Sequence, residues 1–208
     1  MKLFNTLALS FLAFAFFADC KGQANLTFCK QNYKTAREYL NKYYALNQDS
    51  FLLISLYSAN NAIICPETKN GAIEIKIGDL ILLKKFTAGY KFVDSLKDDD
   101  FDKPYQRLMC LNKFLALNAT EKFDTTKSKQ YYLQILPSIQ EYIQRIAKTN
   151  DKIREEAYYD LFVVKSKIET VDEIVKEINA LKSQFPKESR YWDMLQGTFS
   201  ELKTALPK

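Results

Sequence analysis

The sequence of 208 residues contains no histidine. Its absence excludes serine–histidine and cysteine–histidine catalysis, general acid–base chemistry by imidazole, and histidine ligation of metals. The chain also has no glycine-rich phosphate loop, and its four cysteines are never separated by only two residues, as in a zinc site. We therefore expect a protein that is not an enzyme and that binds neither a metal nor a cofactor.

Glycine and proline are scarce, with five residues of each. Sandwiches and barrels need many turns, so this scarcity favours long helices joined by short polar loops. With 47% hydrophobic and 26% charged residues, the composition is that of a folded domain. The predicted fold class is all-α, with about nine helices stacked as antiparallel pairs.

Positive charges exceed negative charges only slightly, and the formal net charge is +5. Lysines and acids alternate along the chain, as on a solvated helical surface. No dense basic cluster occurs, so we expect no nucleic-acid partner. The 13 tyrosines and 15 phenylalanines are abundant. They are expected to fill helix contacts, with an aromatic binding surface as the alternative.

Apolar residues at spacings of three and four predict the helices. Pro137 should kink or split the helix that contains it, because proline lacks an amide hydrogen. Ile73, Ile75 and Ile77 alternate with charged residues, as in a strand. A helix is preferred there because a lone hairpin would leave open edges. The predicted helices span residues 27–46, 51–65, 72–86, 88–96, 104–118, 126–148, 152–168, 171–184 and 188–205.

Carboxylates are the remaining candidates for chemistry. Glu155, Glu156 and Asp160 lie close together in sequence, and a glycosidase needs two such acids. Acids at a helix start are more often solvated or favoured by the helix dipole. The acidic run over 98–102 lacks the glycine turn and closing glutamate of a calcium loop, so an exposed loop is expected there. No catalytic residue and no metal ligand is therefore predicted.

The N-terminus has the layout of an export signal. Lys2 precedes an apolar run over 3–18, roughly 16 residues, which is shorter than the about 20 that a membrane-spanning helix needs. Residues 17–20, Phe-Ala-Asp-Cys, resemble the lipoprotein box of bacteria, in which the cysteine becomes the lipid-bearing first residue. A soluble signal cut after Ala24 and a retained segment are the alternatives.

The resemblance to lipoproteins implies a signal peptide over 1–19 and lipid attachment at Cys20. A short linker over 20–26 then leads to a single helical domain over 27–208. By resemblance to Gram-negative lipoproteins, Lys21 implies the outer membrane. We expect the protein on the periplasmic side of a bacterial cell envelope, held to the membrane by its lipid. A soluble periplasmic or secreted protein is the alternative.

Three cysteines remain once Cys20 carries the lipid, and three cannot all pair. Cys29 lies early in the first predicted helix and Cys65 at the end of the second. If the two helices form an antiparallel hairpin, these cysteines lie nearly opposite each other. We predict a Cys29–Cys65 disulfide that closes a loop of roughly 37 residues and stabilises by about 3–4 kcal/mol. Cys110 is expected to be a small buried hydrophobe.

Residues 158–186 resemble a tetratricopeptide repeat, in which two helices with regularly spaced apolar residues are followed by a proline. A second possible unit covers 73–101. The resemblance implies stacked helix pairs with an extended surface that holds peptides or proteins. The residues that carry it are Tyr158, Leu161 and Phe162 on the first helix, Ile174, Ile178 and Leu181 on the second, and Pro186.

Three functions follow as hypotheses. The first is a non-catalytic module that binds another protein, and its sharper form is an immunity protein that blocks a toxin in the periplasm. The second is a carrier of small molecules or lipids, with aromatic side chains lining a groove between helices. The third is an acid-based hydrolase of envelope glycans, for which Glu156 would be required.

Overall fold

The computed structural model describes residues 4–146 and 150–205, with side chains described over 25–146, 150–185, 187–188 and 190–201. Every regular element in these residues is helical, which confirms the all-α fold class. The α-helices are α1 (Phe4–Leu46), α2 (Asp49–Ala62), α3 (Pro66–Leu82), α4 (Phe86–Asp94), α5 (Gln106–Glu121), α6 (Thr125–Leu133), α7 (Leu136–Ile146), α8 (Asp151–Lys165), α9 (Val171–Gln184) and α10 (Ser189–Ala205), with short 3-10 turns at Asp98–Asp100 and Pro186–Glu188.

The ambiguous segment is helical, but its predicted bounds of 72–86 are wrong. Helix α3 begins at Pro66, because proline fits the first turn of a helix while Cys65 before it is extended at φ −105° and ψ 131°. The helix ends at Leu82. Lys84 then adopts a left-handed conformation at φ 54°, and its neighbour Lys85 donates its amide hydrogen to the Leu80 carbonyl at 2.8 Å.

Proline also divides the helix that was predicted over 126–148. Helix α6 ends at Leu133 and α7 begins at Leu136, which places Pro137 in the first turn of the second helix. Proline is tolerated at that position because the first-turn amides have no partner within the helix. The predicted split is therefore observed. The helix predicted from Pro104 begins later, at Gln106.

Polar side chains in the loops fix several helix starts. Asp124 accepts the Lys127 amide at 2.9 Å before α6, and Asn150 accepts the Ile153 amide at 3.2 Å before α8. Thr170 begins α9 with a capping box, in which its side chain and that of Glu173 accept each other's backbone amides. These caps satisfy orphan donors and set where each helix begins.

The chain divides into two compact units. The first comprises residues up to Gly89 together with Asp100–Asp102, and the second comprises Tyr90–Asp99 and the residues from Lys103 onward. In the first unit, α1, α2 and α3 pack against one another. Short loops join them, so neighbouring helices run antiparallel, as predicted. That the domain predicted over 27–208 folds as a single unit stays a prediction.

In the second unit, consecutive helices pack as the pairs α5–α6, α7–α8 and α9–α10. The predicted repeat over 158–186 pairs α8 with α9, and that these helices form a tetratricopeptide-like unit stays a prediction. Side chains of the two helices still meet, since Tyr158 and Phe162 belong to the same cluster as Ile174 and Ile178. That cluster also contains Leu181, Trp192, Leu195 and Phe199.

The predicted signal peptide and Cys20 lie outside the residues whose side chains are described. Within the described part of the chain, no helix combines the length and the apolar character that a membrane crossing requires.

Candidate protein-interaction surface

A disulfide closes one end of the first unit. Cys29 of α1 and Cys65 before α3 are bonded, with their Cα atoms 6.1 Å apart, and both are buried. This is the pair that the sequence singled out. The bond links α1 to the junction of α2 and α3, so it fixes how these three helices meet. Cys110, which was expected to be a small buried hydrophobe, is half-buried.

The outer side of α2 is apolar and exposed. Leu53, Ile54 and Tyr57 are exposed by 51%, 39% and 68% of their surface. Their spacing of three and four residues places them on one side of the helix. Ile64, in the turn after α2, is exposed by 68%. We refer to Leu53, Ile54, Tyr57 and Ile64 as the α2 face.

The disulfide lies beside one end of the α2 face. Ile64 directly precedes Cys65, and Phe28, itself exposed by 48%, directly precedes Cys29. Because the cysteines are bonded, Phe28 and Ile64 belong to the same end of the helix pair. Folded soluble proteins seldom expose neighbouring large apolar side chains in this way, and such patches usually mark interaction sites.

Small residues explain why these large side chains face outward. The side of α2 that contacts α1 and α3 is formed by Leu52 and by the buried residues Ser55, Ser58, Ala59 and Ala62. The Ser55 hydroxyl donates to the Ala36 carbonyl of α1 at 3.0 Å. Apolar spacing alone would place Ile54 and Tyr57 on the buried side of this helix. The spacing of the small residues is the signal that would have identified the buried side.

A groove lies between α1 and α3 in the same unit. Gly71 allows this packing, because a Cβ added there would lie 2.5 Å from the Tyr33 hydroxyl oxygen. The Arg37 guanidinium lies 5.9 Å from the centre of the Tyr33 ring. The groove has a volume of about 330 Å³ and is open to solvent. Its lining consists of Tyr33, Arg37, Leu40, Asn41, Gly71, Glu74 and Ile75.

The candidate acids of α8 form an ion-pair network. Asp160 accepts the Lys103 ammonium at 3.0 Å and the Tyr105 hydroxyl at 2.7 Å. Glu156 lies 3.5 Å from the same ammonium. Burial, with the adjacent Asp160 charge, raises the pKa of Tyr105 far above its usual range. Lys103 thus forms ion pairs with both carboxylates.

Glu155 has a different environment. Burial raises the pKa of its carboxyl, and the negative charges of Glu188 and Asp151 add to that increase. A raised pKa is what a general acid requires, so Glu155 is the acid of this helix that suits the hydrolase hypothesis best. Arg154, which pairs with both Asp151 and Glu188, partly offsets the increase.

The acidic run over 98–102 is engaged with cations and an amide. Asp98 lies 3.6 Å from the Arg107 guanidinium, and Asp100 pairs with Lys69. Asp102 accepts from the Asn70 side chain at 3.4 Å. Among the described residues no group of three or more acids or cysteines has the geometry to hold a metal ion.

Comparisons with known proteins give no relative from which to transfer a role. No protein-family model matches the chain, and neither a curated protein nor a solved structure matches it. The α2 face and the groove are therefore interpreted from their own chemistry.

Proposed function

We propose that the protein is a non-catalytic module that binds another protein through the α2 face. The observation that carries this proposal is the exposure of Leu53, Ile54 and Tyr57 together on one side of a helix. An amphipathic helix of this kind is suited to lie in an apolar groove of its partner, with spaced side chains as anchors. Tyrosine also supplies a large contact area with few rotatable bonds.

The proposal includes export and lipid attachment at Cys20. The export-type N-terminus supports this location, and an oxidising compartment permits the Cys29–Cys65 disulfide. The partner would then be a protein of the periplasm or of the envelope. Mass spectrometry of the processed protein tests this location, because a diacylglycerol on Cys20 gives a mass that a cut after Ala24 does not.

The binding experiment compares double variants at exposed leucine and tyrosine positions, one in each of the two units. Protein that lacks the signal peptide and Cys20, residues 21–208, is used to capture partners from envelope extract, and the captured protein is then purified for calorimetry. Leu53→Ser with Tyr57→Ala should weaken its binding about tenfold or more. Leu133→Ser with Tyr159→Ala is the matched control, because these side chains are exposed by 49% and 44%. Equal affinities for both double variants would contradict the assignment to the α2 face.

A sharper form of this function is an immunity protein that blocks a toxin delivered into the periplasm. It is supported by the export-type N-terminus and by the absence of a catalytic motif in the sequence. Cells that lack the protein should then be killed by toxin-producing neighbours, and Leu53→Ser with Tyr57→Ala should not restore protection. Survival of the deletion strain in such competitions would exclude this form.

The groove between α1 and α3 favours a second candidate, the carrier of a small molecule. Its volume of about 330 Å³ is at the low end for small-molecule sites, and it joins apolar side chains to the Arg37 cation. Native mass spectrometry of the purified protein should then show a bound compound. A ligand-free mass, with no change of stability in ligand screens, would exclude the carrier.

A further inference from the structure

Phe123 occupies the turn between α5 and α6 in an unusual way. Its side chain is exposed by 92%, the largest exposure of any large hydrophobic residue in the described part of the chain. Its backbone is left-handed, with φ 60°. The Phe123 amide donates to the Thr120 carbonyl at 2.9 Å, and the next amide, of Asp124, donates to the Ala119 carbonyl at 3.0 Å. These bonds fix the turn as a helix-ending motif.

Neither packing nor backbone conformation favours phenylalanine at this position. Glycine is the usual residue here, because a Cβ is disfavoured in the left-handed region, and bulky residues are rare there. The other left-handed positions in the described residues hold Asn47 and Lys84. Asparagine tolerates this conformation, and lysine has an unbranched, polar-tipped side chain. A strained and fully exposed aromatic residue therefore suggests a role outside the fold.

The surroundings of Phe123 combine this apolar side chain with cations. A pocket of about 220 Å³ adjoins the turn, and Lys122 and Lys127 both line it together with Tyr131. Asp124 also lines the pocket, but one of its carboxylate oxygens accepts the Lys127 amide at 2.9 Å. Within the part of the chain that the structure describes, neither lysine forms an ion pair. The carboxylate of Asp124 offsets one of the two cations, so the pocket beside the exposed ring keeps one positive charge in excess.

We propose that this turn is a membrane-contact site for anionic phospholipid. The Phe123 ring enters the boundary between headgroups and acyl chains, and Lys122 and Lys127 contact lipid phosphates. Aromatic and basic side chains are the usual residues at that boundary. A single protruding ring also suits a fluid surface, because lipid needs no preformed pocket, whereas a protein partner would need one.

This inference rests on the proposed function only for the nearness of a membrane to a lipid-anchored chain. Each basic residue near an anionic surface strengthens attraction, and salt weakens it. The site is therefore testable in the processed chain without its lipid, which separates it from lipidation at Cys20.

The test uses Phe123→Trp in residues 21–208, mixed with vesicles of brominated phosphatidylglycerol and phosphatidylcholine. The chain's own Trp192 is fully buried, so the unchanged protein is the reference for quenching of an inaccessible tryptophan. We expect quenching of the variant but not of the reference. With Lys122→Gln and Lys127→Gln added, binding should weaken on the order of tenfold, and high salt should do the same.

Phe123→Gly provides the test in the unlabelled protein, because glycine suits this backbone and the variant should remain folded. Its sedimentation with the anionic vesicles should fall on the order of tenfold. Equal quenching on purely zwitterionic vesicles would overturn the proposal. So would the absence of quenching in all vesicles, or a fall in partner binding by Phe123→Gly with vesicle binding unchanged, since Phe123 would then contact protein.

Discussion

The two units bury different kinds of side chain. The first unit buries many small or polar residues, and its large exposed side chains include Tyr57 and Leu53. The second unit buries several aromatic residues, among them Phe162 and Trp192, while Phe123 and Tyr159 are exposed. Because apolar burial is the main source of stability, the second unit is expected to be the more stable one. The first unit leaves apolar area uncovered, which suits it to bind a partner.

Buried charge differs in the same way. In the second unit, buried Arg154 pairs with Glu188 and Asp151, and buried Lys165 pairs with Glu177. In the first unit, fully buried Asp79 forms no ion pair within the described residues, and the neighbouring Ser55 hydroxyl donates to the Ala36 carbonyl instead. A buried charge without a partner destabilises a fold, while a paired one is tolerated. The first unit therefore depends on other support, which the disulfide provides.

Truncation of the second core should have the largest effect. Phe162→Ala removes a fully buried ring that contacts Phe199 at 6.1 Å between ring centres. We expect a loss of about 3–5 kcal/mol in the free energy of unfolding. Urea denaturation followed by Trp192 fluorescence measures it, since that residue lies in the same cluster. A loss below about 1 kcal/mol would mean that this core is not what stabilises the second unit.

Loss of the disulfide should act on the first unit alone. Cys29→Ser should reduce its stability by about 3–4 kcal/mol, because the bond restricts the unfolded chain. Circular dichroism should then show that part of the protein unfolds at a lower denaturant concentration. Trp192 fluorescence reports the second unit and should not show this early transition. Cys110→Ser is the control and should leave the early transition absent. If both probes gave the same transition for Cys29→Ser, the two units would unfold together. The claim that the first unit is separately less stable would then be wrong.

Asp79 should make the first unit sensitive to pH. Burial raises the pKa of this carboxyl to about 7 in the folded protein, so folding favours its protonated form. The folded state then binds a proton that the unfolded state has lost between about pH 4 and pH 7, and stability falls as pH increases through that window. We expect Asp79→Asn to remove this dependence and to stabilise by up to about 4 kcal/mol above pH 7.

Circular dichroism melts of both proteins from pH 4 to pH 8 measure this difference. The comparison with Asp79→Asn is needed because other carboxylates titrate in the same range. Asp49→Asn, at an exposed site in the first turn of α2, is the matched control and should keep the pH dependence of the unchanged protein. A parallel pH profile for the protein and for Asp79→Asn would show that Asp79 is charged and satisfied in the fold.

The sequence predicted the elements of the fold better than their edges. Pro66 and Pro137 were recognised as breaks, because proline restricts itself and the residue before it. Each was placed at a helix end or interior, whereas both lie in the first turn of a new helix. The cysteine pairing followed from hairpin geometry, since two helices of similar length return the chain to its start.

The candidate site was harder to predict from the sequence than the helices were. Periodicity shows that apolar residues share a side of α2, but not whether a neighbour covers that side. Here Ser55, Ser58 and Ala59 allow close helix contact on the opposite side, so Tyr57 faces solvent. The burial of Asp79 depends on tertiary packing. The left-handed backbone of Phe123 could not be predicted because the glycine that usually marks such a turn is missing.

Phe123 is the most exposed large hydrophobic residue of the second unit in the described part of the chain, and it gives the smallest expected effect. Glycine should relieve the left-handed backbone, and loss of the ring should remove no buried contact, since 92% of it is exposed. We therefore expect Phe123→Gly to stabilise by about 0.5–1 kcal/mol in thermal melts. Phe123→Ala keeps a Cβ in the strained region, so it should show no such gain. If alanine stabilised as much as glycine, the gain would come from removing an exposed ring, and the backbone argument for a role outside the fold would fail.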